Sequence, residues 1–166
     1  MNPYEYAMNM EKEGRDFYLE QAGQMTDPTL KKIYEELAAD EQRHYAIFKA
    51  LLDGEKADLK AAFKTDILKT TKNVFQQLKD SNSEILEYPK SVRDAWVKAR
   101  DIEDNAEEFY RNQAEKTKDK DEKETWLMIA EEERKHYIAM DNVVNFIDRP
   151  HQWLEDAEWS NIDRAY

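Results

Sequence analysis

The sequence predicts an all-α protein, a four-helix bundle built from two repeated helical hairpins with an additional connecting helix. Its composition is the first observation: 37% of the 166 residues are charged, and only three glycines and four prolines occur. Apolar residues also recur at helical spacing along most of the chain, and the first hairpin is repeated 92 positions later. Because the mean hydropathy is only -1.00, the apolar side chains are expected to form narrow stripes, as in amphipathic helices.

The first hairpin is predicted from its start and stop signals. Asn2 and Pro3 provide a cap and a first-turn proline, and helical periodicity continues to about Met25. The turn at residues 26–28 leads into a second helix that ends near Gly54. Its apolar stripe consists of Leu30, Ile33, Tyr34, Leu37, Ile47, Phe48 and Leu51.

A connecting helix is predicted over residues 57–79, with an apolar stripe of Leu59, Phe63, Ile67, Val74, Phe75 and Leu78. Ser91 and Asp94 resemble a capping box at the start of the fourth helix. The polar run from Lys116 to Lys123 is the predicted turn, and Pro150 ends the fifth helix. We therefore expect one bundle domain over residues 1–150, with hairpins at about 3–53 and 91–148, and a tail at 151–166 that forms a short helix.

Charge and composition limit the partners and the compartment. The net charge of -12 opposes binding to nucleic acid or to an anionic membrane surface. The chain has no cysteine, which leaves out disulfides and thiolate ligands. Neither a signal peptide nor a membrane-spanning apolar run is evident, so we expect a cytoplasmic protein without nucleic-acid or membrane partners.

The internal repeat is the most informative feature. Residues 7–45 and 99–137 align without a gap and share twelve identical residues, including Tyr18 with Tyr110 and His44 with His136. Matches of such rare residue types indicate a duplicated helical hairpin.

Six of the polar residues at repeated positions are predicted to face the bundle interior. Glu41 and His44 are three residues apart within the apolar stripe of the second helix, so both lie on its inner face. The other members occupy equivalent inward positions: Glu133 and His136 on the fifth helix, Glu11 on the first and Glu103 on the fourth. Buried carboxylates without compensating charge are costly, and the sequence therefore predicts bound cations.

Two divalent cations would neutralise four carboxylates. Mixed carboxylate and imidazole ligands favour iron, manganese or zinc over calcium. Two Glu residues plus two Glu-x-x-His motifs form the known ligand set of dimetal helical bundles. We predict that Glu41 and Glu133 bridge two metal ions, that Glu11 and Glu103 are terminal ligands, and that each histidine binds one ion.

The segments AMNMEKEGRDFY, LAADEQRHY, ARDIEDNAEEFY and AEEERKHY resemble the paired signatures of the ferritin-like superfamily, and of its rubrerythrin-type group in particular. The resemblance implies a diiron site with Glu11, Glu41, His44, Glu103, Glu133 and His136 as ligands. It also implies that Tyr18 and Tyr110 hydrogen-bond across the bundle to ligand carboxylates. Two iron ions are then the expected cofactors, with manganese and zinc as alternatives.

Two departures from the resemblance are relevant. Full-length rubrerythrins carry a C-terminal rubredoxin module with four iron-binding cysteines, which are absent here, so we expect a separate electron donor, for which a rubredoxin-like protein is one candidate. Rubrerythrins also have a glutamate three residues after the fourth-helix ligand, where this chain has Ala106. The symmetric six-residue site is therefore closer to that of bacterioferritin.

The function expected from this resemblance is a diiron oxidoreductase, either a peroxidase or a ferroxidase. It would reduce hydrogen peroxide or O2 with electrons from a separate donor or from ferrous iron. Two alternatives stay open: an iron-binding protein that stores or carries iron without turnover, and a metal-free structural bundle that uses residues 57–79 and the Trp153–Trp159 tail as an interaction surface. We expect a homodimer, in which the long connection between hairpins permits exchange of halves.

Overall fold

The computed structural model describes residues 2–55, 65–81, 86–156 and 158–164. Six α-helices, which we number in chain order, and a final 3-10 helix account for most of them, and no strand occurs in these ranges. Their bounds are α1 Pro3–Gln24, α2 Pro28–Leu52, α3 Ile67–Asp80, α4 Lys90–Lys116, α5 Lys120–Asp148 and α6 Pro150–Glu155, followed by the 3-10 helix Glu158–Asn161. The predicted all-α, ferritin-like bundle is confirmed.

Two antiparallel hairpins, α1 with α2 and α4 with α5, form the bundle. Equivalent aspartates start the second helix of each hairpin. Asp27 accepts hydrogen bonds from the backbone N–H groups at the start of α2, and Asp119, 92 residues later, does the same for α5. Asn2 caps α1 and Pro3 follows at its first position, as predicted. The repeat therefore includes the capping residues as well as the inner helix faces.

Several predicted boundaries differ from the structure. Pro89 occupies the cap position of α4 and no side chain caps this helix, so the capping box predicted at Ser91 and Asp94 was wrong: both residues lie within the helix. The α4–α5 turn contains only residues 117–119, because Asp119 starts α5 earlier than the polar run suggested. Pro150 does not simply end α5; it begins α6, where the fixed φ of proline is favourable.

The connecting helix α3 packs against α2 and α5. Its N-terminal part was predicted from Leu59 and Phe63, and both lie outside the described residues. Phe75 is fully buried and contacts the rings of Phe146, Trp153 and Trp159. The apolar side of α3 and the tryptophans of the tail therefore form intramolecular core, so these described residues do not present the interaction surface that the structural-bundle alternative used.

Apolar side chains form two separate core clusters, one towards each end of the bundle. The first contains Leu30, Leu37, Phe75 and Trp96, and the second contains Phe48, Tyr110, Trp126 and Ile129. A layer of buried charged residues lies between them. Among the described ranges, every helix is too polar or too short to cross a lipid bilayer.

Candidate metal centre

The buried charged layer brings together all six residues that the sequence singled out. Helix α1 contributes Glu11, α4 contributes Glu103, and the two-residue motifs of α2 and α5 contribute the rest: Glu41, His44, Glu133 and His136. None of these residues is more than 4% exposed. Each faces the interior because it replaces an apolar residue in the inner stripe of its helix.

Potential ligand atoms in this layer form two overlapping sets. The first set is Glu11, Glu41, His44 and Glu133, and the second is Glu41, Glu103, Glu133 and His136. Within each set, one ligand atom per residue lies within 4.8 Å of all the others. Since both sets include Glu41 and Glu133, two ions placed here would be bridged by these two carboxylates.

Both histidines turn Nδ1 towards the cluster. His44 Nδ1 lies 3.5 Å from Glu11 and 2.9 Å from Glu133. His136 Nδ1 lies 3.4 Å from Glu41 and 3.3 Å from Glu103. The imidazole rings are 6.0 Å apart between centroids. Nδ1 is therefore the atom with which each histidine would bind an ion.

The two predicted tyrosines hydrogen-bond to carboxylates of the opposite hairpin. Tyr18 Oη donates to Glu103 Oε1, and Tyr110 Oη donates to Glu11 Oε1, each over 2.5 Å. Both phenol rings are completely buried. Burial and the nearby carboxylates, Glu103 for Tyr18 and Glu11 for Tyr110, raise both tyrosine pKa values well above 10. Each phenol therefore keeps its proton and fixes the orientation of one terminal carboxylate.

Two further carboxylates, which we call the outer carboxylates, are Asp40 and Glu132. His44 Nε2 donates to Glu132 Oε2 over 2.6 Å, and His136 Nε2 donates to Asp40 Oδ2 over 2.9 Å. Arg43 bonds to both of them, and Thr65 also donates to Asp40. A carboxylate that accepts the second N–H of a ligand histidine fixes its tautomer and ring orientation.

The outer carboxylates did not emerge from the sequence analysis, although a signal was present. Each directly precedes a predicted ligand glutamate, and the two are separated by the same 92 positions as the rest of the repeat. They were missed because the repeat replaces Asp by Glu here, and because an acid beside another acid on a helix is usually a solvated surface residue.

Protonation in the metal-free cluster reflects crowding of like charges. Burial, followed by repulsion from neighbouring carboxylates, raises the pKa of Glu41 and of Glu133 well above 4.5. Burial alone would lower the pKa of His44 and His136, but the carboxylates around them raise both values well above 6.5. Burial alone would raise the pKa of Glu132, but its hydrogen bond and charge interaction with His44 lower it. Protons thus supply the positive charge that the cluster needs when metal is absent.

The cluster passes a simple test of fit to two divalent cations. Glu11 Oε2, Glu41 Oε1 and both oxygens of Glu133 are buried without a hydrogen-bond donor among the described residues. Such atoms cost free energy unless a cation or a proton satisfies them. Four carboxylates and two imidazoles supply the charge and the donor types that iron, manganese or zinc accept.

A cavity of about 320 Å³ between α1 and α4 reaches this cluster. Glu41 lines it together with Gly14, Phe17, Ile102 and Ala106. A Cβ atom at Gly14 would lie only 3.2 Å from Glu41 Oε2, so glycine here leaves space for the Glu41 carboxylate. Small molecules can approach the cluster from this side, opposite the helices that carry the histidines.

The outer carboxylates give a first prediction. Glu132→Gln and Asp40→Asn are each expected to weaken metal binding by about 10–100-fold, because either change removes the charged acceptor of a ligand histidine. Anaerobic titration with Fe(II) measures the affinity. Glu131→Gln, at a side chain 57% exposed on the same helix, is the matched control, and unchanged affinity in both outer variants would contradict the assigned role.

Comparison with protein-family models matches the chain to the family described as Rubrerythrin over residues 4–144. The matched range spans both hairpins and all six cluster residues. No curated protein and no solved structure matches the chain significantly.

Proposed function

Because this chain belongs to the rubrerythrin family, we propose that it is a diiron-carboxylate oxidoreductase that reduces hydrogen peroxide or O2. The electrons come from a separate donor or from ferrous iron. The observation that carries the proposal is the pair of overlapping ligand sets, which share two carboxylates and contain buried oxygens without a donor.

In this proposal Glu41 and Glu133 bridge the ions, Glu11 and His44 complete one site, and Glu103 and His136 complete the other. Bound ferrous ions would supply two electrons for cleavage of an O–O bond and would stabilise the charge that develops on oxygen. Iron fits this chemistry better than zinc, which has no redox states to offer. Manganese fits the same ligands.

The protein residues position the site and shield it. Tyr18 and Tyr110 hold the two terminal carboxylates, and Glu132 and Asp40 orient the two histidines. The apolar clusters at both ends keep bulk water out, which strengthens electrostatic interactions inside the bundle. The cavity lined by Glu41 gives peroxide and O2 a path to the carboxylate side of the site.

Iron titration and peroxide turnover test the proposal. We expect metal-free protein to bind two Fe(II) per chain under anaerobic conditions, and peroxide then to produce a rapid near-ultraviolet absorption change. With a chemical reductant in excess, peroxide consumption should continue over many cycles. Metal-free protein with the same reductant is the control.

Each other outcome has a distinct meaning. A single round of iron oxidation with retained ferric iron would support the alternative, an iron-storing or iron-carrying protein without turnover. Absence of stoichiometric binding would contradict both the enzyme and the carrier.

A further inference from the structure

Two rows of redox-active aromatic rings lead away from the metal centre, one towards each end of the bundle. In the first row, Tyr110 is followed by Trp126 at 5.8 Å and then by Tyr4 at 5.2 Å, measured between ring centroids. In the second row, Tyr18 is followed by Tyr34 at 6.2 Å and then by Trp96 at 3.8 Å. Each row begins at a tyrosine that hydrogen-bonds to a ligand carboxylate.

The two rows are related by the 92-residue repeat, but with an exchange of residue types. Tyr4 corresponds to Trp96, and Tyr34 corresponds to Trp126. In each row, the two rings farthest from the metal centre are therefore one tyrosine and one tryptophan. They stack with interplanar angles of 9° in the first row and 12° in the second. Core packing by itself requires only apolar residues of suitable volume at these positions. Phenol and indole are the two side-chain rings that lose an electron most readily, whereas Phe48 and Phe109, which also pack against the first row, are much harder to oxidise.

The rows differ at their outer ends. Tyr34 and Trp96 are buried, and neither the Tyr34 hydroxyl nor Trp96 Nε1 has a hydrogen-bond partner among the described residues. Tyr4 is only half-buried. Glu122 is its main charged neighbour, and burial together with Glu122 raises the pKa of Tyr4 to about 12. Only the first row thus ends at the surface, beside a carboxylate that can accept a phenolic proton.

We propose that Tyr110, Trp126 and Tyr4 form an electron relay that protects the metal centre when peroxide reacts there and the site can supply only one electron. The inference rests on the proposed function, which provides peroxide as the oxidant. Tyr110 gives the missing electron to the site and its proton to Glu11. Trp126 then reduces the Tyr110 radical, and Tyr110 takes its proton back from Glu11.

Tyr4 completes the transfer. It gives an electron to the oxidised Trp126 and its phenolic proton to Glu122, so that the radical ends on Tyr4 at the surface. Peroxide takes up two electrons and two protons to form two water molecules; one electron originates from Tyr4 and the other from the site, both protons come from solvent, and the proton of Tyr4 stays with Glu122. A one-electron reductant in solution, such as ascorbate, restores Tyr4.

Radical trapping followed by peptide mass spectrometry tests the relay. Full-length protein is loaded with one equivalent of Fe(II) and treated with peroxide in the presence of a nitrone spin trap, while absorbance records iron oxidation in the same sample. We expect an adduct on Tyr4 in the natural sequence. In Trp126→Phe this adduct should be lost, whereas it should persist in Trp96→Phe, the matched change in the buried row.

A second variant keeps the test decisive if Trp126→Phe does not fold, as circular dichroism would show. In Tyr4→Phe the adduct should move inward to Trp126. An adduct on Tyr4 that survives in Trp126→Phe, or trapping at the exposed Tyr6 in place of Tyr4, would overturn the relay. Iron oxidation without any adduct on Tyr4 would overturn the relay alone, whereas absence of iron oxidation would overturn the proposed function and the relay with it.

Discussion

Replacing Glu41 by glutamine is expected to abolish binding of the metal pair while leaving the metal-free protein at least as stable as before. Glu41 belongs to both ligand sets, so its loss removes a ligand from each ion at once. In the metal-free protein, burial and three neighbouring carboxylates raise its pKa well above 4.5. The side chain therefore keeps its proton to a higher pH than an ordinary glutamate, and glutamine reproduces the shape and charge of this protonated form.

The two forms of the protein should therefore respond in opposite ways. A saturating metal stabilises the natural sequence by about 2.7 kcal/mol when its free concentration is 100 times Kd, and the variant should lose this gain. Thermal unfolding with and without Zn(II), combined with anaerobic Fe(II) titration, measures both effects. Glu35→Gln, at an exposed position of the same helix, should change neither. If the variant still binds two ions, Glu41 is not a bridging ligand.

Much of the bundle could be predicted because helical periodicity and the repeat point to the same structure. A glutamate or histidine at an inward position interrupts an apolar stripe visibly, and two copies in register make the interruption specific. The structure brings these six side chains into one buried layer, whereas their role as metal ligands stays a prediction. The predicted capping box at Ser91 was wrong because a local motif does not decide which residue begins a helix.

Other features depend on how the helices pack, and one hairpin alone does not reveal them. Asp40 supports His136 of the other hairpin, and Glu132 supports His44. The aromatic rows were equally inaccessible, because Tyr4 stacks on Trp126 only once α1 lies against α5. In both cases the repeat preserves a chemical type and not an identity, so a search for identical residues passes over it.

Metal binding is expected to release protons and to become tighter as pH rises. His44 and His136 hold protons in the metal-free protein because neighbouring carboxylates outweigh the effect of burial on their pKa. Glu41 and Glu133 hold protons because burial and mutual repulsion raise their pKa. Divalent ions must displace these protons, and each proton released changes the binding free energy by about 1.4 kcal/mol per pH unit. Zn(II) calorimetry in two buffers of different ionisation enthalpy measures the number released.

The stability of the metal-free protein should show the opposite trend. A raised histidine pKa stabilises the fold fully below about pH 6.5, the value in the unfolded chain, and this contribution is lost as pH rises through the folded pKa. The raised pKa values of Glu41 and Glu133 likewise lower the stability of the fold as pH rises above 4.5. The melting temperature should therefore fall from pH 6.5 to pH 9 without metal, while the increase produced by Zn(II) grows over the same range. Parallel curves with and without Zn(II) would mean that the metal binds away from these histidines and glutamates, because only ions that displace their protons make the two trends diverge.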